Sequence, residues 1–262
     1  MSFVFGELKK DNIPIATLYD NSKIKNIVSY IDSDKLPDDT EKLTQIRLNN
    51  PNETFFPYIN DFKETNQTQR FFVSGESGVG KSFFIVKYIL EFKKKYPKSK
   101  ILFFSSKLQD ENIDKLKFIE RVNVDDDILT NPYTLAEIAE NSKPCLVVFD
   151  DIEDYQSKKI TKEIDRLLNE ILRNGRSYGI YCIYTHHQPA DYKATRNLCF
   201  EATHCVIFPK RAGKDAYNYF LEKKLNLNKK IVEKINGLKS NFVCIKKNIP
   251  KCVISDKYIL LV

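Results

Sequence analysis

The 262-residue chain has only 8 glycines, three histidines (His186, His187 and His204) and no apolar run near the ~18 to 20 residues of a membrane-spanning helix. Its longest apolar stretches, CLVVF at 145–149 and YILLV at 258–262, have strand length, so a soluble chain without a membrane partner is expected. The opening MSFVFGELKKDN lacks a charged head, an apolar stretch and a small-residue cleavage site, which argues against secretion. The cysteines at 145, 182, 199, 205, 244 and 252 form no CxxC pair and sit among apolar neighbours, the pattern of reduced core thiols. The histidines lack zinc-site spacing. With 42% hydrophobic and 29% charged residues, the composition excludes disorder, collagen and coiled coil, and the length favours one large domain.

Charge is unevenly spread. Residues 209–262 hold 13 Lys or Arg against 4 Asp or Glu, a local excess of +9 in a chain of +7, so the remainder is slightly acidic. A basic C-terminal third is the footprint expected of a polyanion partner such as nucleic acid, with a solvated lysine-rich surface as the plainer alternative. Residues 1–66, with 8 basic and 11 acidic residues and weak strand signals such as IPIATLY, read as an N-terminal extension packed on the core. Residues 67–262 read as the main domain, ending in the basic segment 209–262. From residue 69 strands and helices alternate: RFFVS, a helix to Tyr96 closed by Pro97, KILFFSS, a short strand at 119–124, a helix in TLAEIAEN, CLVVFDD, and a long helix from Gln156 to Asn174 halted by Gly175. GIYCIYT, a turn after Pro189, THCVIFP, two basic helices between Asp215 and Ile235, and the strands NFVCIKK and KCVIS follow. Strands apolar at consecutive positions belong to a parallel sheet covered on both faces. The expected class is α/β, with a mainly parallel central sheet flanked by helices.

Three of the 8 glycines fall in the stretch Gly75-Glu76-Ser77-Gly78-Val79-Gly80-Lys81-Ser82, a full match to GxxxxGK[ST] between a predicted strand and a predicted helix. The glycines let backbone N–H groups converge on phosphate oxygens, and the helix adds its positive N-terminal end. These residues with Phe83 form the expected nucleotide-binding set. Lys81 is placed for the β- and γ-phosphates and the Ser82 hydroxyl for Mg²⁺. The strand 146–149 ends in Asp150 and Asp151. A carboxylate there is costly to desolvate unless it meets a cation, which makes Asp150 the second metal-side residue. Asp151 is positioned to activate the attacking water, with Glu153 as competitor. No NKxD guanine-reading motif and no LSGGQ motif occur, so ATP is the expected nucleotide.

The order of phosphate loop, DD strand, helix into GRSYGI, strand ending THHQP, then KATRN and CVIFPK resembles the FtsK and HerA superfamily. Within it the chain is similar to the genome-packaging ATPases of large double-stranded DNA viruses and their satellite viruses. The resemblance spans about residues 69–250, its specific part runs from GRSYGI to VIFPK, and with the phosphate loop it implies a P-loop NTPase core with a mainly parallel, RecA/ASCE-like central sheet. It implies a ring-forming homo-oligomer that hydrolyses ATP to translocate double-stranded DNA into a preformed capsid, with a capsid or portal-vertex protein as partner. It also implies a virus-encoded protein at work in the host cytoplasm, in the virus factory, or with the virion. Arg176 matches the basic position ahead of the sensor strand and is the candidate arginine finger acting across subunits; Arg196 is a further candidate for subunit or phosphate contacts. The γ-phosphate sensor falls on His186 by register, or on Gln188, because THHQP stands where the FtsK branch usually has a TQRP-like motif. Competing expectations are a helicase or helicase loader and, more remotely, a nucleotide kinase. The kinase is disfavoured because paired acids suit water activation and no acceptor-binding lid is evident.

Overall fold

A computed structural model of the chain describes residues 12–20, 27–32, 45–107, 109–152, 157–189, 195–209 and 214–262. Two compact units emerge: Met1–Tyr58 with His204–Val262, and Ile59–Thr203.

The first unit begins with β1 (Asn12–Asp20), β2 (Ile27–Asp32), β3 (Gln45–Arg47) and β4 (Glu53–Pro57). β1 is the centre of an antiparallel sheet ordered β2-β1-β4. Its burial rests on Ile15, Ala16 and Leu18, with Phe55 and Phe56 of β4.

The second unit contains α1 (Phe62–Thr65), β5 (Arg70–Ser74), α2 (Lys81–Lys95), β6 (Ile101–Ser105), α3 (Glu111–Asp114), β7 (Glu120–Val122), α4 (Asp127–Thr130), α5 (Leu135–Ala139), β8 (Cys145–Asp150), α6 (Lys158–Asn174), β9 (Ile180–His186) and α7 (Thr195–Glu201). Its strands form a parallel sheet in the order β5-β9-β8-β6-β7, so β9, the last in sequence, lies between the phosphate-loop strand and the acid-bearing strand. Every residue of β6, β8 and β9 is buried, as consecutive apolar positions require of strands covered on both faces. α2 buries Phe84, Ile85, Tyr88, Ile89 and Phe92, a three-to-four-residue spacing that sets one stripe against the sheet. The Tyr88 ring meets Phe71 of β5 edge-on at 4.8 Å. α6 repeats the pattern through Ile160, Ile164, Leu167, Leu168, Ile171 and Leu172, and the Ser157 side chain caps it by accepting from Ile160 N–H. A 3-10 turn, Gly175–Tyr178, then leads through Gly179, at φ +69°, into β9.

The first unit closes with β10 (His204–Ile207), α8 (Lys214–Tyr219) running into a π-turn at Phe220–Lys224, α9 (Lys229–Gly237), β11 (Val243–Lys246), β12 (Cys252–Ser255) and β13 (Tyr258–Leu261). These strands are antiparallel in the order β10-β11-β12-β13-β3. Backbone contact joins the two ends of this unit: Phe55 N–H donates to Asp256 O at 2.9 Å. All six cysteines are free and buried, as expected. Among the described residues no helix is long and apolar enough to cross a membrane.

Candidate active site

The phosphate loop leaves β5 at Ser74 and becomes α2 at Lys81. Gly78 (φ +77°) and Gly80 (φ +117°) occupy left-handed backbone that a side chain would strain, which is why glycine stands there. Gly75 N–H donates to the His186 carbonyl at 3.1 Å, tying the start of the loop to the end of β9. Glu76, Ser77 and Gly78 are exposed, Val79 is buried, and Phe83 projects from the first turn of α2 with 75% of its surface exposed.

Lys81 is buried, and its ammonium is a point of convergence. Nζ donates to Gly75 O at 2.6 Å and to His187 Nδ1 at 3.2 Å, and lies 3.9 Å from Asp151 Oδ1. Lysine is only a donor, so His187 receives that bond on Nδ1 and carries its own ring proton on Nε2. His187 Nε2 is 3.6 Å from the same Asp151 oxygen.

The paired acids have different environments. Asp150 is 2% exposed, and its Oδ1 accepts from the Thr185 hydroxyl at 3.0 Å. Burial, reinforced by the neighbouring Asp151 charge, pushes its carboxyl up to about 6. Asp151 leaves the strand at φ +51°, unusual for a residue other than glycine. Three contacts hold it there: its N–H donates to Thr185 Oγ1 at 2.9 Å, its carbonyl accepts from Ser106 Oγ at 2.7 Å, and its Oδ2 is ion-paired with Lys107. Burial alone would raise the Asp151 carboxyl. The Lys107 hydrogen bond and the charges of Lys81 and Lys107 outweigh it and hold the group below the usual carboxylate value. Its Oδ1 is buried without a hydrogen-bond partner.

This donor set fits a hydrated magnesium ion. Among the described residues no three His, Cys, Asp or Glu side chains form a metal cage. Magnesium at a nucleotide site requires no such cage, since one or two protein oxygens, phosphate oxygens and water complete its shell. A desolvated Asp150 carboxylate beside the phosphate loop, with Ser82 at the start of α2, supplies oxygens of that kind.

Lys81, Asp151 and His187 thus come together, with Asp150 one residue away. His186, favoured by register as the sensor, is the last residue of β9; its ring lies 6.3 Å from that of Phe72 and accepts from Gln188 N–H at 3.2 Å. His187, the next residue, is the histidine at Lys81. Gln188 is exposed. Arg176 is exposed in the 3-10 turn before β9, at the opposite end of that strand from the phosphate loop, roughly 20 Å away at about 3.3 Å per residue. Glu153 and the side chain of Arg196 lie outside the described residues. Thr185 and Lys107 are site residues that motif reading passed over. Thr185 was visible as the first polar residue ending β9, whereas nothing local to Lys107 marks it.

A phosphate loop on one strand, paired acids on the strand next but one, and a polar-ended strand between them define the class: a P-loop NTPase with a RecA/ASCE-like core, as the resemblance to FtsK and HerA implied. No protein-family model matches the chain. The chain is 30% identical over 249 residues, 94% of each protein, to protein V3 of Sputnik virophage, and it belongs to that protein's family. Among solved structures, the DNA-packaging ATPase B204 from Sulfolobus turreted icosahedral virus matches with a TM-score of 0.51 at 18% identity, over 73% of this chain and 98% of its own. The genome-packaging NTPase B204 of Sulfolobus turreted icosahedral virus 2, in complex with ATPγS, also matches at 0.51 and 18%, over 72% and 97%. The pCW3 conjugation coupling protein TcpA with ATPγS matches at 0.50 and 14%, over 94% and 77%. At these identities the likeness is one of fold.

Proposed function

We propose that the chain is a virus-encoded ATPase that uses hydrolysis to move double-stranded DNA into a preformed capsid. The observation that carries this is the convergence of Lys81, His187 and Asp151 beside the Asp150–Thr185 pair at the ends of β5, β8 and β9. The fold it shares with the viral packaging enzymes, and its kinship with a virophage protein, direct that chemistry to packaging.

The loop Gly75–Gly80 would wrap the phosphates with its backbone N–H groups, and Lys81 would exchange its Gly75 carbonyl for β- and γ-phosphate oxygens. Ser82 and Asp150 would hold Mg²⁺, which would supply positive charge to stabilise the phosphate oxygens. Asp151, kept ionised by its cations, accepts the proton of the attacking water at Oδ1, the oxygen that makes no hydrogen bond. His187, bonded to Lys81 through Nδ1, presents Nε2–H beside that oxygen and replaces His186 as the residue of THHQP that senses the γ-phosphate. Arg176 lies too far from its own site and serves a neighbouring copy in a homo-oligomeric ring, while the segment 209–262 supplies charge toward DNA phosphates. A capsid or portal-vertex protein is the remaining partner.

Steady-state ATP hydrolysis without DNA, with single strands and with duplex tests the reading, with Lys81→Ala as the inactive control. Duplex should stimulate turnover severalfold, and Asp151→Asn should bind ATP but not hydrolyse it. Stimulation by single strands alone would replace the motor with a helicase or its loader. Indifference to both, in an active sample, would point to chemistry on another substrate, as in a kinase.

A further inference from the structure

Among the described residues one buried hydroxyl touches both acids. Thr185 sits in β9 opposite Val73 of β5, and one position beyond the Phe149–Tyr184 pairing with β8, so its strand neighbours are the two that carry the phosphate loop and the acids. It is 3% exposed. A hydroxyl has one proton to give and lone pairs to receive. Here Oγ1 donates to Asp150 Oδ1 at 3.0 Å and accepts from Asp151 N–H at 2.9 Å. The second bond is made where the backbone turns left-handed, at φ +51°, and departs from β8. There Asp151 N–H gains its partner from a side chain on the adjacent strand.

We infer that Thr185 is a positioning residue: its hydroxyl orients the Asp150 carboxylate toward the metal and holds the left-handed Asp151 backbone that aims the water-activating carboxylate. The inference rests on the nucleotide-hydrolysing reading above and deepens it. On that reading Thr185 acts through Asp150 and Asp151, the two residues its hydroxyl bonds.

Replacing the hydroxyl by a methyl, Thr185→Val, keeps the volume but leaves Asp150 Oδ1 and Asp151 N–H unsatisfied, whereas Thr185→Ser keeps both bonds. Three readouts on the full chain apply: melting temperature, the dissociation constant of ATPγS in EDTA and in Mg²⁺, and kcat at saturating Mg·ATP. Thr185→Val should bind ATPγS in EDTA within about 2-fold of the parent, lose most of the tightening given by Mg²⁺, and lose roughly 100-fold in kcat, the scale of a misplaced catalytic group. Thr185→Ser should restore the Mg²⁺ response and kcat to within about 3-fold. Should the valine variant melt early, Thr185→Ala against Thr185→Ser isolates the hydroxyl on a common truncated side chain. A valine variant with parental Mg²⁺ response and kcat overturns the inference, and so does a serine variant as impaired as valine or alanine. A parent chain that binds Mg·ATPγS but does not hydrolyse ATP overturns the hydrolytic reading alone, and the Mg²⁺ response then decides for Thr185. A parent that binds no nucleotide overturns both.

Discussion

Asp150 shows how a residue is made useful at the expense of the fold. Its carboxyl is pushed up to about 6 from an ordinary 3.8 by burial and by the Asp151 charge. Folding therefore favours the protonated acid, and stability falls as pH rises from 3.8 to about 6, staying lower above that. The gap of about two pH units corresponds to at most roughly 3 kcal/mol. Asp150→Asn keeps an acceptor for Thr185 and removes the buried charge. In EDTA it should raise the melting temperature at pH 8 by at least about 3 °C, leave it unchanged near pH 3.5, and abolish Mg²⁺-dependent hydrolysis. Equal melting temperatures at pH 8 would show that Asp150 carries no such cost. Asp151 runs the other way: its value lies below the ordinary one, so its ion pairs stabilise the fold above the carboxylate range and are lost on acidification.

At the scale of elements, β9 joins the chemistry at one end to a tight turn at the other. Gly179, at φ +69°, links the turn after α6 to β9, and a Cβ there would lie 2.8 Å from Lys143 Cγ and 3.2 Å from the Phe62 ring. The lysine can shift, so backbone conformation sets most of the cost, about 1–2 kcal/mol for a side chain in left-handed geometry. Gly179→Ala should lower the melting temperature by roughly 2–8 °C. Because the phosphate loop lies at the opposite end of β9, ATPγS affinity of the folded fraction should stay parental; a matching loss of affinity would mean the strand transmits strain along its length. The same geometry separates the two histidines. Side chains alternate along a strand, so Thr185 and His187 share a face and His186 takes the other, beside Phe72. A shift of one residue along the strand therefore exchanges the histidine that meets Lys81 for the one beside Phe72.

At the scale of the whole molecule, the basic excess of 209–262 is the feature that phosphate chemistry leaves unused. If the segment grips the DNA backbone, duplex affinity should fall steeply with salt, and neutralising Lys210, Arg211 and Lys214 together should lessen the log–log slope by roughly 2 to 3. Lys210 and Arg211, and the side chain of Lys214, lie outside the described residues, so the assignment rests on sequence and charge. An unchanged slope in a filter-binding titration would remove them from the DNA path.

What the sequence determined by itself was local. Gly75–Ser82 is legible because a phosphate loop needs its glycines, lysine and hydroxyl within eight consecutive residues. Asp150 is legible because one carboxylate ends an apolar strand, and the parallel core because its strands are apolar throughout. The order of strands was decided only in three dimensions. β9 inserts between β5 and β8 after more than a hundred intervening residues, bringing Thr185 onto both acids and His187 onto Lys81. Lys107, at the end of β6, meets Asp151 only because β6 lies beside β8. β13, legible as the apolar run YILLV, pairs with β3 from the opposite end of the chain, a partner no local pattern names. Strand pairing across long separations is paid for by loop closure and rewarded by burial, and neither is written in any local stretch of sequence.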